Sequence, residues 1–145
     1  MRLLSSSVYR AGKFDPDNLQ SQRRFSTIGA YAASKLCVLL FTIELAHRLA
    51  PTRVTANAVH PGIVRTPMMR GAEGVFRAIS YAALPFSLAP EQGAATSVFL
   101  AGSPDAAQVS GQYFTNAKSN KVNTARNTPE NRELLWNLSM DACRL

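Results

Sequence analysis

An α/β layer fold is what this sequence predicts, and three features predict it. Short apolar segments run into polar or helix-breaking residues. One long segment between them carries apolar residues at three- and four-residue steps. The alternation of the two patterns then continues toward the carboxyl end. At 145 residues and 46% hydrophobic composition, residues 1–145 can bury a core as one domain.

Taken in order, Arg2, Leu3 and Leu4 read as the end of an apolar strand that passes directly into Ser5, Ser6 and Ser7. Residues 8–27 hold Gly12, Pro16, Asn18 and many polar side chains without a clear period, so a long loop with a short helical turn is expected. A connection of that length raises the expectation of a functional loop. From Ala30 to Leu49, Leu36, Leu39, Leu40, Ile43 and Ala46 recur at helical spacing until Pro51 stops the pattern.

Residues 54–59 form a β-branched-rich strand entering the breaker pair Pro61 and Gly62. Residues 71–84 are weakly helical and apolar, and Pro85 and Pro90 fence the residues that follow, as expected of a flap over a pocket at about 67–89. Pro90 with Glu91 suits the first turn of a helix ending near Ala101, before Gly102, Ser103 and Pro104. Gly111 to Thr115 reads as a final strand. Thr128, Pro129 and Glu130 cap a last helix over about 129–142, with Leu134, Leu135 and Leu138 on its apolar side.

Charge and cysteine content narrow the function classes. Sixteen basic and nine acidic residues give a formal charge of +7, which permits a phosphate-bearing partner. The arginines are scattered, however, and the pair Arg23 and Arg24 has no aromatic interleaving, so no nucleic-acid partner is expected. Cys37 and Cys143 show neither metal-ligand spacing nor a disulfide framework, which fits a reducing, intracellular setting. The longest apolar run, residues 36–43, is closed by Lys35 and Glu44 and falls short of the roughly 20 residues that a membrane span needs. No membrane span is expected in this chain, and no metal site.

The segment Tyr31-Ala-Ala-Ser-Lys35 places a phenol and an ammonium four residues apart on one helix face, about 6 Å apart along the axis. Both can therefore act on one bound ligand. A tyrosine is a poor base at neutral pH, and a neighbouring positive charge favours the phenolate. Taken singly, Tyr31 reads as a half-buried helix residue and Lys35 as a solvated one. Their context gives them more weight: a serine cluster at a strand end precedes them, and a strand ending in Pro61-Gly62, with Thr66 four residues further on, follows.

That order resembles the catalytic half of the short-chain dehydrogenase/reductases. The stretches Gly12-Lys13-Phe14, Asn18-Leu19-Gln20, Phe41-Thr-Ile-Glu44-Leu45-Ala46 and Val59-His60-Pro61-Gly62 look most like the retinol-dehydrogenase-like branch. The likeness continues through Glu91-Gln92-Gly93-Ala94 and Ser110-Gly111-Gln112-Tyr113-Phe114, so it covers nearly all of the chain.

The resemblance implies the carboxyl-terminal half of a doubly wound, Rossmann-like parallel sheet, with its site at the carboxyl ends of the strands. It implies hydride transfer between NAD or NADP and a carbonyl or alcohol. Ser6 would hold the substrate oxygen, with Ser5 and Ser7 as alternatives; Tyr31 would exchange the proton; Lys35 would grip the nicotinamide ribose. Tyr31, Lys35, Pro61, Gly62, Ile63 and Thr66 would contact the cofactor, Thr66 at the carboxamide. His60 is expected to be structural and His47 a surface residue.

The family's glycine-rich pyrophosphate turn has no counterpart in the sequence, because Gly71 and Gly74 lack a preceding strand. Preference between NAD and NADP is therefore not encoded in these residues. The expected partner is a small hydrophobic carbonyl or alcohol such as a retinoid, steroid or lipid aldehyde, and a homo-oligomer is compatible with the sequence. The expected location is cytoplasmic, or membrane-associated through a segment not in this sequence. A non-catalytic fragment or isoform acting through a partner is the alternative reading.

Overall fold

The computed structural model describes residues 1–65 and 74–143. Four strands, β1 (Arg2–Leu4), β2 (Asn57–His60), β3 (Tyr113–Thr115) and β4 (Lys118–Asn120), form one sheet in the order β1-β2-β3-β4. The first two pairings are parallel and the last is antiparallel. The helices are α1 (Thr27–Arg48), α2 (Gly74–Ala83), α3 (Pro90–Gly102) and α4 (Pro129–Cys143).

Alternation along the strands splits the core into two layers. Ala58 and Tyr113 face α1 and α4, joining Tyr9, Leu36, Leu39, Leu40 and Leu135. Val59 and Phe114, one residue on, pack with Leu100 of α3 and with Ala106. Helices on opposite faces of a sheet whose first three strands are parallel confirm the doubly wound arrangement.

Helix α1 begins three residues earlier than the apolar spacing predicts, because Ser26 caps it by accepting from the Gly29 N–H at 3.3 Å. By length and composition α1 is apolar enough to cross a membrane. Its inner stripe of Leu36, Leu39 and Leu40 is nevertheless core, packed with Ala58 of β2 and Leu135 of α4. Gly12 lets the long loop press onto this helix, since a Cβ there would lie 2.5 Å from the Ala32 carbonyl oxygen. The loop itself contains two 3-10 turns, Ser7–Ala11 and Pro16–Asn18.

Two expectations need correction. The strand at Tyr113–Thr115 is not the last: β4 returns antiparallel beside it through Asn116 and Ala117, both at positive φ. Of the three leucines expected on the apolar side of α4, Leu135 is buried, Leu138 is half-buried and Leu134 is exposed. α4 meets α1 along a narrow stripe, on which Trp136 stacks against Phe41 with ring centroids 5.1 Å apart.

Candidate active site

The site forms where β1 and β2 end together. Leu4 is in register with Val59, and the Ser5 N–H donates to the Val59 carbonyl at 2.9 Å, so the pairing runs one residue past the strand. Ser6 therefore leaves the sheet beside Pro61. The serine cluster and the Pro61-Gly62 turn, 55 residues apart in sequence, become neighbours through this register. Gly62 sits at φ +85°, a conformation in which a Cβ would be strained. Ile63 beyond it is exposed.

Helix α1 brings its first turns to the same corner. The Lys35 Nζ donates to the Leu4 carbonyl at 3.2 Å and lies 5.5 Å from the centroid of the Tyr31 ring. Four-residue spacing on a helix thus puts both side chains at the carboxyl end of β1. The three serines differ. Ser5 is buried, and its hydroxyl donates to the Lys35 backbone carbonyl at 2.8 Å. Ser6 is extended (φ −155°, ψ 153°), half-buried and gives no side-chain cap to the Ser7–Ala11 turn that it precedes. Its hydroxyl makes no hydrogen bond among the described residues. Ser7 is the first residue of that turn.

Ser6, Tyr31, Lys35, Pro61, Gly62 and Ile63 are accordingly brought together by two strand ends and one helix. Thr66 lies outside the described residues, as does the start of the flap. The described part of the flap is α2 and the 3-10 turn Leu84–Phe86. It is pinned beside the Pro61 loop by Leu88, whose N–H donates to the Ile63 carbonyl at 2.7 Å and whose carbonyl accepts from the Arg65 N–H at 3.0 Å. Tyr81 and Phe86 are exposed.

His60 stands at the end of β2; burial pushes its pKa below the ordinary 6.5, and the nearby Arg10 pushes it further the same way. That fits a structural histidine. Sequence reasoning missed Arg10 as its neighbour and missed Tyr9, a fully buried ring whose hydroxyl accepts from the Asn123 N–H at 3.2 Å. Residues 8–11 carry no period that would signal either.

A cavity of about 670 Å³ lies elsewhere, on α1 residues Ala30, Ala33 and Cys37 and the loop carrying Lys13 and Arg24. At about 100° per residue these α1 positions point well away from Tyr31 and Lys35. Burial in the wall of this cavity pushes the Cys37 thiol up.

Residues 17–116 match the family model described as enoyl-(acyl carrier protein) reductase. This chain belongs to the short-chain dehydrogenase/reductase family. It is 38% identical over 143 residues to mouse (Mus musculus) retinol dehydrogenase 14, covering 94% of this chain and 42% of that protein. It is 40% identical over 141 residues to mouse retinol dehydrogenase 12, covering 95% and 43%. It is 36% identical over 129 residues to the human (Homo sapiens) WW domain-containing oxidoreductase, covering 88% and 31%. The chain thus spans less than half the length of these relatives. A crystal structure of an uncharacterized protein from Mycobacterium paratuberculosis shares the fold, with a TM-score of 0.69 at 23% identity over 99% of this chain and 49% of that one.

Proposed function

We propose that these residues form the catalytic part of an NAD- or NADP-dependent oxidoreductase acting on a hydrophobic carbonyl or alcohol, a retinoid first among the candidates. The observation that carries this reading is the meeting of Tyr31 and Lys35 with the ends of β1 and β2, beside Ser6 and the Pro61-Gly62 turn. The retinol dehydrogenase relatives and the exposed aromatic flap support the substrate class.

The residues present fit the nicotinamide-ribose end of such a cofactor. Lys35 has three ammonium donors, of which the Leu4 carbonyl takes one, leaving two for ribose hydroxyls. Gly62, at positive φ, offers backbone without a side chain at the turn, and Ile63 beside it is an exposed apolar contact. When bound, the nicotinamide ring supplies or accepts the hydride. The Ser6 hydroxyl holds the substrate oxygen, and the Tyr31 hydroxyl gives its proton to that oxygen during reduction and takes it back during oxidation. Lys35 keeps a positive charge beside the phenol and orients the ribose. Pro61, Gly62 and Ile63 would hold the nicotinamide side of the cofactor, with Thr66, outside the described residues, proposed for its carboxamide. We place the protein inside the cell, with Cys37 and Cys143 as free thiols.

The test is reduction of all-trans-retinal by this chain completed at its amino end with the matching part of a retinol dehydrogenase, assayed with NADH and NADPH. Turnover with one of them is expected; tight cofactor binding without reduction of retinal or any other carbonyl overturns the reading. A second reading, a non-catalytic segment acting through a partner, is favoured by the apolar surface at Leu4, Ile28 and Val98, which are 55%, 43% and 65% exposed. The 145 residues alone are expected to bind neither cofactor and to self-associate. Calorimetric titration alongside light scattering checks this, and saturable binding by a monodisperse monomer contradicts it.

A further inference from the structure

We propose that Ser5 is a positioning residue for Lys35 and Ser6, its buried hydroxyl setting the distance between the end of β1 and helix α1. The inference rests on the functional reading above and deepens it.

Two hydrogen bonds join residues 4 and 5 to residue 35 in opposite directions. The Lys35 ammonium reaches the Leu4 carbonyl at 3.2 Å, and the Ser5 hydroxyl reaches the Lys35 carbonyl at 2.8 Å. A third bond, from the Ser5 N–H to the Val59 carbonyl at 2.9 Å, ties the same residue to β2. Ser5 is 3% exposed, so the two bonds that it donates are sheltered from competing water, whereas the Lys35 to Leu4 bond is open to solvent. A lysine head on a four-carbon stem is otherwise loosely held. Here both its ends are tied to the strand that presents Ser6, the next residue in the chain.

The helix does not need the Ser5 bond to satisfy its own backbone. Inside an α-helix a carbonyl already accepts from the N–H four residues ahead. Removing the Ser5 hydroxyl therefore orphans no buried group, and the expected loss of stability is small. What is lost is the register of Tyr31 and Lys35 against Ser6. Misplacement by about an ångström costs reaction rate far more than it costs folding.

The experiment compares Ser5→Ala, Ser5→Thr and Tyr31→Phe in the chain completed as above. Ser5→Ala is expected to lower kcat by roughly tenfold, with the KM for retinal little changed, the pH profile of kcat displaced and the melting midpoint close to the parent's. Ser5→Thr, which keeps the hydroxyl, is expected to restore most of the rate. Because position 5 is tightly packed, Ser5→Thr is backed by a second readout: the NMR chemical shifts of the labelled Lys35 side chain, which should move in Ser5→Ala. Parental kcat, pH profile and Lys35 chemical shifts in Ser5→Ala, with Tyr31→Phe inactive, overturn this proposal alone. Parental turnover in Tyr31→Phe overturns the functional reading and this proposal with it.

Discussion

The two sides of the candidate site are built differently. On one side Ser5, Tyr31 and Lys35 stand where a 22-residue helix crosses two strand ends, over a core of Tyr9, Leu36, Leu39 and Tyr113. On the other, α2 and its following turn carry Tyr81 and Phe86 at 58% and 80% exposure and are pinned at Leu88. The first side is anchored in the core; on the second, Tyr81 and Phe86 stand in solvent. In the proposed reading, the groups that would move a proton are thus placed on core-anchored elements, while those that would meet the rest of the substrate include exposed aromatic side chains.

Lys35→Ala tests the core-anchored side and has the largest expected effect. In the completed chain, kcat/KM should fall by roughly a hundredfold or more, with weaker cofactor binding, because one side chain both holds ribose and charges the corner. Steady-state kinetics with direct cofactor titration checks it; parental values for both would mean that the spacing to Tyr31 is incidental.

Exchange of residues 75–88 for those of another family member tests the exposed side. Relative kcat/KM among retinoid, steroid and short aldehydes should shift by about tenfold, as a change in apolar contacts allows, with cofactor affinity unchanged. A changed cofactor affinity with the same substrate ranking would reverse the contrast between the two sides.

The smallest effect concerns His60, between the two. Its folded pKa lies below the ordinary 6.5, so the unfolded chain takes up the proton first as pH falls. The stability contribution is unaffected above that value and is lost as pH drops from it toward the folded pKa. His60→Asn should flatten the decline of the melting midpoint as pH falls below about 6.5, and an unchanged decline would remove His60 as its source.

Much of the site was legible because its chemistry is local in sequence. Tyr31 and Lys35 share a helix face by spacing alone, and Pro61-Gly62 announces the loop after β2. The role of Ser5 was not legible, since it depends on the Lys35 carbonyl 30 residues away, and three consecutive serines offer no pattern to tell them apart. In the fold, β4 was missed because Lys118, Ser119 and Asn120 are all exposed and lack alternation. Its turn uses Asn116 and Ala117 where an Asn-Gly pair would have signalled a hairpin. The early start of α1 was readable in Ser26, a cap residue outside the apolar period, whereas Leu134 shows that helical spacing alone does not say how wide a stripe its neighbour covers.

The central claim is that Tyr31 handles the proton in a hydride-transfer reaction. Its most direct test is Tyr31→Phe in the completed chain, with retinal turnover and cofactor affinity measured on the same preparation. The account predicts that turnover disappears while cofactor affinity stays within about twofold, because the ring still packs and only the exchangeable proton is gone. Turnover comparable to the parent would contradict it.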